Sequence, residues 1–271
     1  MMKSADADKR LLSSLQNALN ILKSFTVESP LKGITDLSRE LGLGKSTVHR
    51  LVTTLANEGF LVKDKETQKY RLGYALLSLS GVMTNTLDLY NESLPIVQNL
   101  VDKVNETAHV CILDGPMVLY LLKVECRQLV RFLTYAGRRN PLHATSSGKV
   151  LLAHQDQVFI DDYMKHHLKK YTDYTITDPV RLSEILDAVR QRGYAVTREE
   201  MVEGVHSIAA PIRDYTGKVI AALTVVGPKQ RFNPARIEYL LPHVIETAQE
   251  ISERMGYPAR NLMAGVPLER A

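Results

Sequence analysis

Side chains able to do chemistry fall into three groups along the chain. The first is Lys45, Ser46, Thr47, His49 and Arg50, gathered in a thirteen-residue stretch, Lys45–Asn57, that contains no acid. A guanidinium fork, an ammonium and several hydroxyl donors side by side suit a polyanion. Arg50 can grip a guanine edge or a phosphate with two parallel hydrogen bonds, and Lys45 acts as a point charge. The second group is the pair Cys111 and Cys126, with His109 close to the first. Their separation matches neither a zinc site nor a redox pair, so buried thiols acting as small hydrophobes are expected and no metal is assigned. The third group is His143, Ser147, Cys111 and the Glu199-Glu200 pair, which could serve a hydrolase if the fold brought them together. No G-x-S-x-G nucleophile elbow accompanies them. His166-His167, among Lys165, Lys169 and Lys170, reads as a solvated face.

The elements that must position the first group are legible in the spacing. Val48, Leu51, Val52 and Leu55 recur at i, i+3, i+4 and i+7, so they line one face of a helix and turn Ser46, His49, Arg50, Thr53 and Thr54 outward. A short helix over 35–41 precedes it, and Gly42-Leu43-Gly44 supplies the tight turn between two such helices. Ser13-Ser-Leu-Gln16 has the form of a capping box for a first helix whose Leu15, Leu19, Leu22 and Phe25 are expected to pack beneath the other two. After Gly59, two β-prone runs, 60–63 and 69–72, enclose the charged turn 64–68 and read as a hairpin wing. Lys63, Lys65, Lys69 and Arg71 place cations along it, suited to phosphates. Thr35, at the start of the second helix, completes the candidate contact set. The second helix of such a pair is the one that enters the DNA major groove.

Beyond the wing, residues 74–90 are helix-compatible and apolar, as expected of a linker, and 91–106 form an amphipathic helix with Leu94, Val97, Leu100, Val101 and Val104 on one face. Runs at 109–113, 117–124 and 129–134 suggest an antiparallel meander. Helices are expected over 147–154, 157–168 and from Asp178-Pro179 to Gly193, where Pro inside the start and Gly past the end mark the limits. A hairpin joins 207–213 to 219–226, and a last helix covers 235–255 with Pro242 expected to kink it. The division that follows is 11–74 for a DNA-reading domain, 75–90 for a linker helix, 91–257 for a second domain and 258–271 for a tail.

Composition narrows the classes. The 271 residues suffice for two domains, 45% of them are hydrophobic, and no apolar run nears the roughly 20 residues that span a bilayer. Residues 1–75 hold 12 Lys and Arg against 8 Asp and Glu, a net of +4, and the remainder is balanced. The positive excess thus coincides with the candidate DNA-reading helix. A polar amino terminus without a signal-peptide core points to a cytoplasmic protein. Gly44-Lys45-Ser46 and Gly148-Lys149 resemble P-loop fragments, but the motif's leading glycine is Arg39 in one and His143 in the other. No nucleotide cofactor is expected.

Four motifs then occur together: Leu41-Gly-Leu-Gly-Lys-Ser-Thr-Val-His-Arg-Leu51, Pro141-Leu-His-Ala-Thr-Ser-Ser-Gly-Lys149, Gly204-Val-His-Ser-Ile-Ala-Ala-Pro-Ile212 and Ala221-Ala-Leu-Thr-Val-Val-Gly-Pro228. In order and spacing the chain resembles the isocitrate lyase regulator (IclR) family of bacterial transcription factors, from about residue 12 to 255. The resemblance implies an α+β protein: an N-terminal winged helix-turn-helix, a linker helix, and a C-terminal GAF-like effector-binding domain with an antiparallel sheet. It also implies a homodimer or a dimer of dimers. Carried over by position, the effector pocket comprises Thr145, Ser146, Ser147, Gly148, Glu199 or Glu200, Ser207, and Thr224 with Val226. Hydroxyls and free amides at a helix start suit a carboxylate, although Ser146 and Ser147 could equally be serving as the helix cap.

The expected partners are therefore a double-stranded DNA operator, a small organic acid and a second copy of the chain, with no membrane, no cofactor and no catalysis. Val226 stands where some relatives carry a hydroxyl, which argues against the shortest keto acids. The competing readings are a DNA-binding protein without an effector, and a small-molecule enzyme fused to a helix-turn-helix.

Overall fold

The computed structural model describes residues 13–128 and 134–258. The expected strand over 129–134 and the 258–271 tail fall almost wholly outside that range. The chain divides into two compact units, with the boundary between Thr86 and Leu87.

The first unit contains α1 (Ser13–Ser24), α2 (Ile34–Leu41), α3 (Lys45–Asn57), the hairpin β1 (Leu61–Lys63) and β2 (Tyr70–Leu72), and α4 (Tyr74–Asn85). Its core is Ile21, Phe25, Leu37, Val48, Val52, Leu61 and Tyr70. The first helix buries the second half of the expected stripe, with Leu22 packed against the core and Phe25 in it, and adds Ile21. Ile21 and Phe25, four residues apart, enter the core, while Leu15 and Leu19 remain 57% and 45% exposed. Ser13 is already the first residue of the described helix rather than the cap before it.

Gly42 closes α2 in the left-handed conformation (φ 66°), which makes the tight turn into α3. Ser38 ties that turn with its hydroxyl on the Leu43 carbonyl (2.6 Å). In the wing, Asp64 accepts from the Thr67 amide and hydroxyl, each at 2.7 Å. Lys32 pairs with Tyr70 along the other edge of β2. The α4 helix buries none of its residues. It also ends earlier than expected: the Thr86 hydroxyl turns back onto the carbonyls of Val82 and Met83, closing α4. Leu87 is extended, and Asp88 opens α5 (Asp88–Val104), an acid in the first turn as the helix dipole favours.

In the second unit the strands are β3 (Thr107–Asp114), β4 (Met117–Val124), β5 (Arg139–Pro141), β6 (Ala195–Arg198), β7 (Val205–Arg213) and β8 (Val219–Pro228). They form one antiparallel sheet in the order β5-β4-β3-β8-β7-β6. The helices are α5, then α6 (Ser146–Ala153), α7 (Gln157–His166), α8 (Pro179–Arg192) and α9 (Pro234–Arg254). Helix α6 starts one residue before the expected position. Two short strands, β5 and β6, went unforeseen because four residues or fewer leave no readable alternation.

Both faces of the sheet are covered, so its strands read as nearly continuous apolar runs. Ala108, Val110, Ile208, Ala210, Ile212, Ala221, Leu223 and Val225 point toward α5 and α9. The alternating positions Cys111, Ala209 and Ala222 point toward α6, α7 and α8. This two-fold period puts His109, Ser207 and Thr224 on the α6 side.

Every residue of α6 is buried. Its first turn lies so close to the preceding segment that a Cβ on Gly148 would fall 2.2 Å from the Leu142 carbonyl oxygen. Gly148→Ala is therefore expected to destabilise the second unit by about 1–3 kcal/mol, the usual range for overpacking, measurable as a lowered urea midpoint with an unchanged slope.

Candidate nucleic-acid interface and ligand site

The first unit presents the expected cationic surface. Thr35, Lys45, Ser46, Thr47, His49 and Arg50 are all exposed, while Val48 and Val52 hold α3 from behind. Lys63, Lys65 and Lys69 are exposed on the wing, with the Lys63 ammonium 5.9 Å from the centre of the Tyr70 ring. Of the nearby acids, Glu40 is engaged by Lys32 at 2.5 Å and Asp36 accepts the Gly33 amide at 2.9 Å. These two acids are thus occupied locally, and the outer face of α3 stays donor-rich.

In the second unit, the residues at the start of α6 have separate tasks. Thr145 is the helix cap: its hydroxyl oxygen accepts from the Gly148 amide at 3.1 Å and its proton goes to the Pro141 carbonyl at 3.0 Å. Ser146 and Ser147 are thus released from capping. Ser146 Oγ lies 2.7 Å from Ser207 Oγ and 2.9 Å from Thr224 Oγ1. Thr197, which the sequence did not single out, joins at 2.7 Å from Ser207.

The direction of this hydroxyl chain is fixed at one end. Thr224 donates to the Ile208 carbonyl at 2.9 Å, and each hydroxyl has a single proton. Ser146 must then donate to Thr224, Ser207 to Ser146, and Thr197 to Ser207. Each oxygen keeps acceptor capacity, and Ser146 and Ser207 can swing their protons to an incoming anion. Capping leaves the first amides of α6, those of Ser146 and Ser147, without an intrahelical acceptor. These are the groups that suit an anion at a helix start.

Glu199 and Glu200 are placed apart from that cluster. Glu199, at φ 61°, binds the Lys229 ammonium at 2.6 Å and the Gly204 amide at 3.0 Å. The lysine holds its carboxyl below the usual range. Glu200 takes the Lys149 ammonium on both oxygens at 2.6 Å. Burial drives each of this pair toward its neutral form, and the partner's charge opposes that drive. Thr172 and Thr175 hold the carbonyls of Glu199 and Glu200 at 2.7 and 2.6 Å. Sequence spacing gave no sign of the Lys149–Glu200 pair, whose members are 51 residues apart. Val226, opposite Ser207 in the sheet, adds an apolar wall.

The hydrolase constellation does not assemble as a nucleophile with a base. The two ring nitrogens of His143 are taken by the Tyr163 hydroxyl and the Lys169 carbonyl, each at 2.8 Å. Burial pushes the Cys111 thiol up to about 12, away from a reactive thiolate. Among the described residues no group of three or more His, Cys, Asp or Glu could hold a metal ion. No helix there is long and apolar enough to cross a membrane.

Residues 14–65 match the IclR helix-turn-helix domain, and residues 82–253 match the bacterial transcriptional regulator IclR C-terminal domain. The chain belongs to the IclR family. It is 36% identical over 242 residues to the HTH-type transcriptional regulator BhcR of Paracoccus denitrificans, covering 89% of this chain and 86% of that one. Its identity to the regulator KdgR of Escherichia coli is 34% over 259 residues, 94% and 98% of the two chains. Among solved structures, an IclR regulator from Alicyclobacillus acidocaldarius superposes with a TM-score of 0.82 at 25% identity, covering 91% and 100%. An IclR homologue from Microbacterium hydrocarbonoxydans in complex with 4-hydroxybenzoate gives 0.79 at 29%, covering 89% and 98%. The chain is thus a DNA-binding transcription regulator of the IclR type, and the relatives named are regulators too.

The buried ion pair beside the hydroxyl cluster gives a test of how that region is held. Lys149→Met leaves a buried carboxylate without its partner, and a loss of about 3–5 kcal/mol is expected. Adding Glu200→Leu should restore most of it in chemical denaturation, whereas equal losses in single and double variants would show that the pair contributes packing alone.

Proposed function

We propose that the second unit binds a small organic acid at the start of α6 and that this binding controls the affinity of the first unit for an operator. The observation that carries the reading is the division of labour at residues 145–147. Thr145 alone caps the helix, and Ser146 faces Ser207 and Thr224 with first-turn amides beside it. A carboxylate there exchanges hydroxyl–hydroxyl bonds for charge-assisted ones without a buried counter-charge. Thr145 and Gly148 build the frame, Ser147 adds an amide, and Glu199 and Glu200 act through Lys229 and Lys149. The homologue solved with 4-hydroxybenzoate, itself a carboxylate, supports the ligand class. Control of DNA binding requires only that the acid bind the DNA-competent and DNA-incompetent states with different affinities.

On the DNA side, α3 enters the major groove, with Arg50 on a base edge, Lys45 at a phosphate, Ser46, Thr47 and His49 alongside, and Thr35 and the wing lysines Lys63, Lys65 and Lys69 on the backbone. The working division is a DNA-reading part over 11–74, a linker over 75–90 whose helix α4 closes at Asn85, and an effector-binding part over 91–257. A second copy reads the other half-site. Leu15 and Leu19 on α1, with Tyr74, Leu77, Leu79, Val82 and Met83 on α4, expose an apolar surface for it to cover. A regulator of chromosomal DNA in a bacterium works in the cytoplasm.

Fluorescence anisotropy on the DNA upstream of the chain's own gene, with and without candidate acids, tests both halves. Arg50→Ala is expected to lose about 1–3 kcal/mol of affinity and to relax preference at one base pair. Ser146→Ala with Ser207→Ala is expected to keep DNA affinity while losing the response to acid. Uniform weakening across all sequences would confine Arg50 to phosphate, and an intact response in the double variant would move the ligand site elsewhere.

A further inference from the structure

One ring nitrogen near the hydroxyl cluster has no partner among the described residues. His109, 1% exposed on β3, uses Nε2 on the Thr134 hydroxyl at 2.9 Å. Its Nδ1 is buried with no hydrogen bond among the described residues. Leaving such a nitrogen desolvated and unpaired costs stability, so a residue that keeps one there needs a reason. His109 stands directly opposite Thr224 in the β3–β8 register. Cross-strand neighbours share a face and sit about 5 Å apart, which puts the ring next to the Thr224 hydroxyl that Ser146 binds. Nδ1 is the ring nitrogen nearer the main chain, on the same side of the sheet as that hydroxyl. The Tyr120 ring lies against the imidazole, with centroids 4.8 Å apart, and fixes its plane.

We propose that His109 Nδ1 is a specificity contact for the effector, reading a hydroxyl group a few bonds away from the carboxylate held at the start of α6. The inference rests on the ligand site proposed above and narrows its occupant to a hydroxy acid. Donor and acceptor chemistry favours a hydroxyl over a carbonyl or a second carboxylate. If Thr134 donates to Nε2, Nδ1 carries a proton and needs an acceptor; if Thr134 accepts, Nδ1 offers a lone pair and needs a donor. A hydroxyl satisfies both tautomers, whereas a carbonyl or carboxylate satisfies only the first. Burial, with Lys123 and Arg138 adding repulsion, holds the ring pKa down at about 3, so the imidazole meets its ligand neutral. Lys123 is already committed to the Thr134 carbonyl at 2.6 Å and to Glu125 at 2.5 Å. It therefore positions Thr134, and through it the ring.

The test is isothermal titration of the full chain with matched acids: lactate against propionate, 4-hydroxybutyrate against butyrate, gluconate against hexanoate, and 4-hydroxybenzoate against benzoate. At least one hydroxy acid is expected to bind more than about tenfold better than its deoxy partner, the scale of a buried hydrogen bond to a polar ligand group. His109→Leu should bring that ratio close to 1, and His109→Gln should restore part of it. A ratio that survives in His109→Leu, or a parent that does not discriminate within any pair, overturns the inference. Running Ser146→Ala with Ser207→Ala in the same titration separates the two levels. Acid binding that persists there removes the site itself, and so does failure of every acid to bind the parent. Acid binding lost there, with the hydroxyl ratio intact in His109→Leu, removes only the role of His109.

Discussion

A helix buried from its first residue to its last has to dispose of its first-turn amides away from water, and in this chain that constraint falls on α6. All eight of its residues are buried, and Gly148 lets its first turn lie directly against the Leu142 backbone. Thr145 satisfies one amide as the cap. What remains is a short row of N–H groups and hydroxyls facing a sheet that presents Thr224, Ser207 and Thr197. Apolar side chains in those three places would leave the helix start with no polar neighbour. The hydroxyls satisfy one another along the row Thr197, Ser207, Ser146 and Thr224, and under the proposed function they meet an anion without a new buried cation.

The surroundings of that cluster are held by charges rather than by apolar packing alone. Lys149, one turn into α6, is gripped by Glu200, and Glu199 is gripped by Lys229 from the end of β8. Thr172 and Thr175 fasten the backbone of both acids. The 199–204 segment is therefore tied to the helix on one side and to the β7–β8 hairpin on the other. A ligand that shifts α6 pulls on these ties, and low dielectric makes the buried Lys149–Glu200 pair costly to separate. This offers a physical route by which a small anion could reset a larger part of the second unit.

Much of the fold could be read in the residues, for identifiable reasons. The recognition helix α3 was legible because its apolar positions follow the helical period and glycines bound it. The limits of α8 were legible because Pro179 and Gly193 mark them chemically. The inward face of α1 was only partly legible, since Leu15 and Leu19 fit the period as well as Leu22 and Phe25 do, and only packing against α2 and α3 distinguishes them. Strands β5 and β6 are too short to show a pattern. At the site, Ser146, Ser207 and Thr224 came from motif position, whereas their mutual hydrogen bonds join residues 61 and 78 apart, a relation that only the sheet register creates. His109 was weighed as a neighbour of Cys111. The alternation of β3 sets both on the α6 side, but the pairing with Thr224 that gives His109 its place belongs to tertiary structure.

The central claim is that an organic acid settles on the first turn of α6. Hydrogen–deuterium exchange of the full chain, followed by mass spectrometry with and without the best-binding acid, reports on that turn directly. Slower exchange is expected in peptides covering 145–149 and in those of β7 and β8 around Ser207 and Thr224, with no comparable change at 45–57 in the absence of DNA. Protection confined to another part of the second unit, with 145–149 unaltered at saturating acid, would contradict the account.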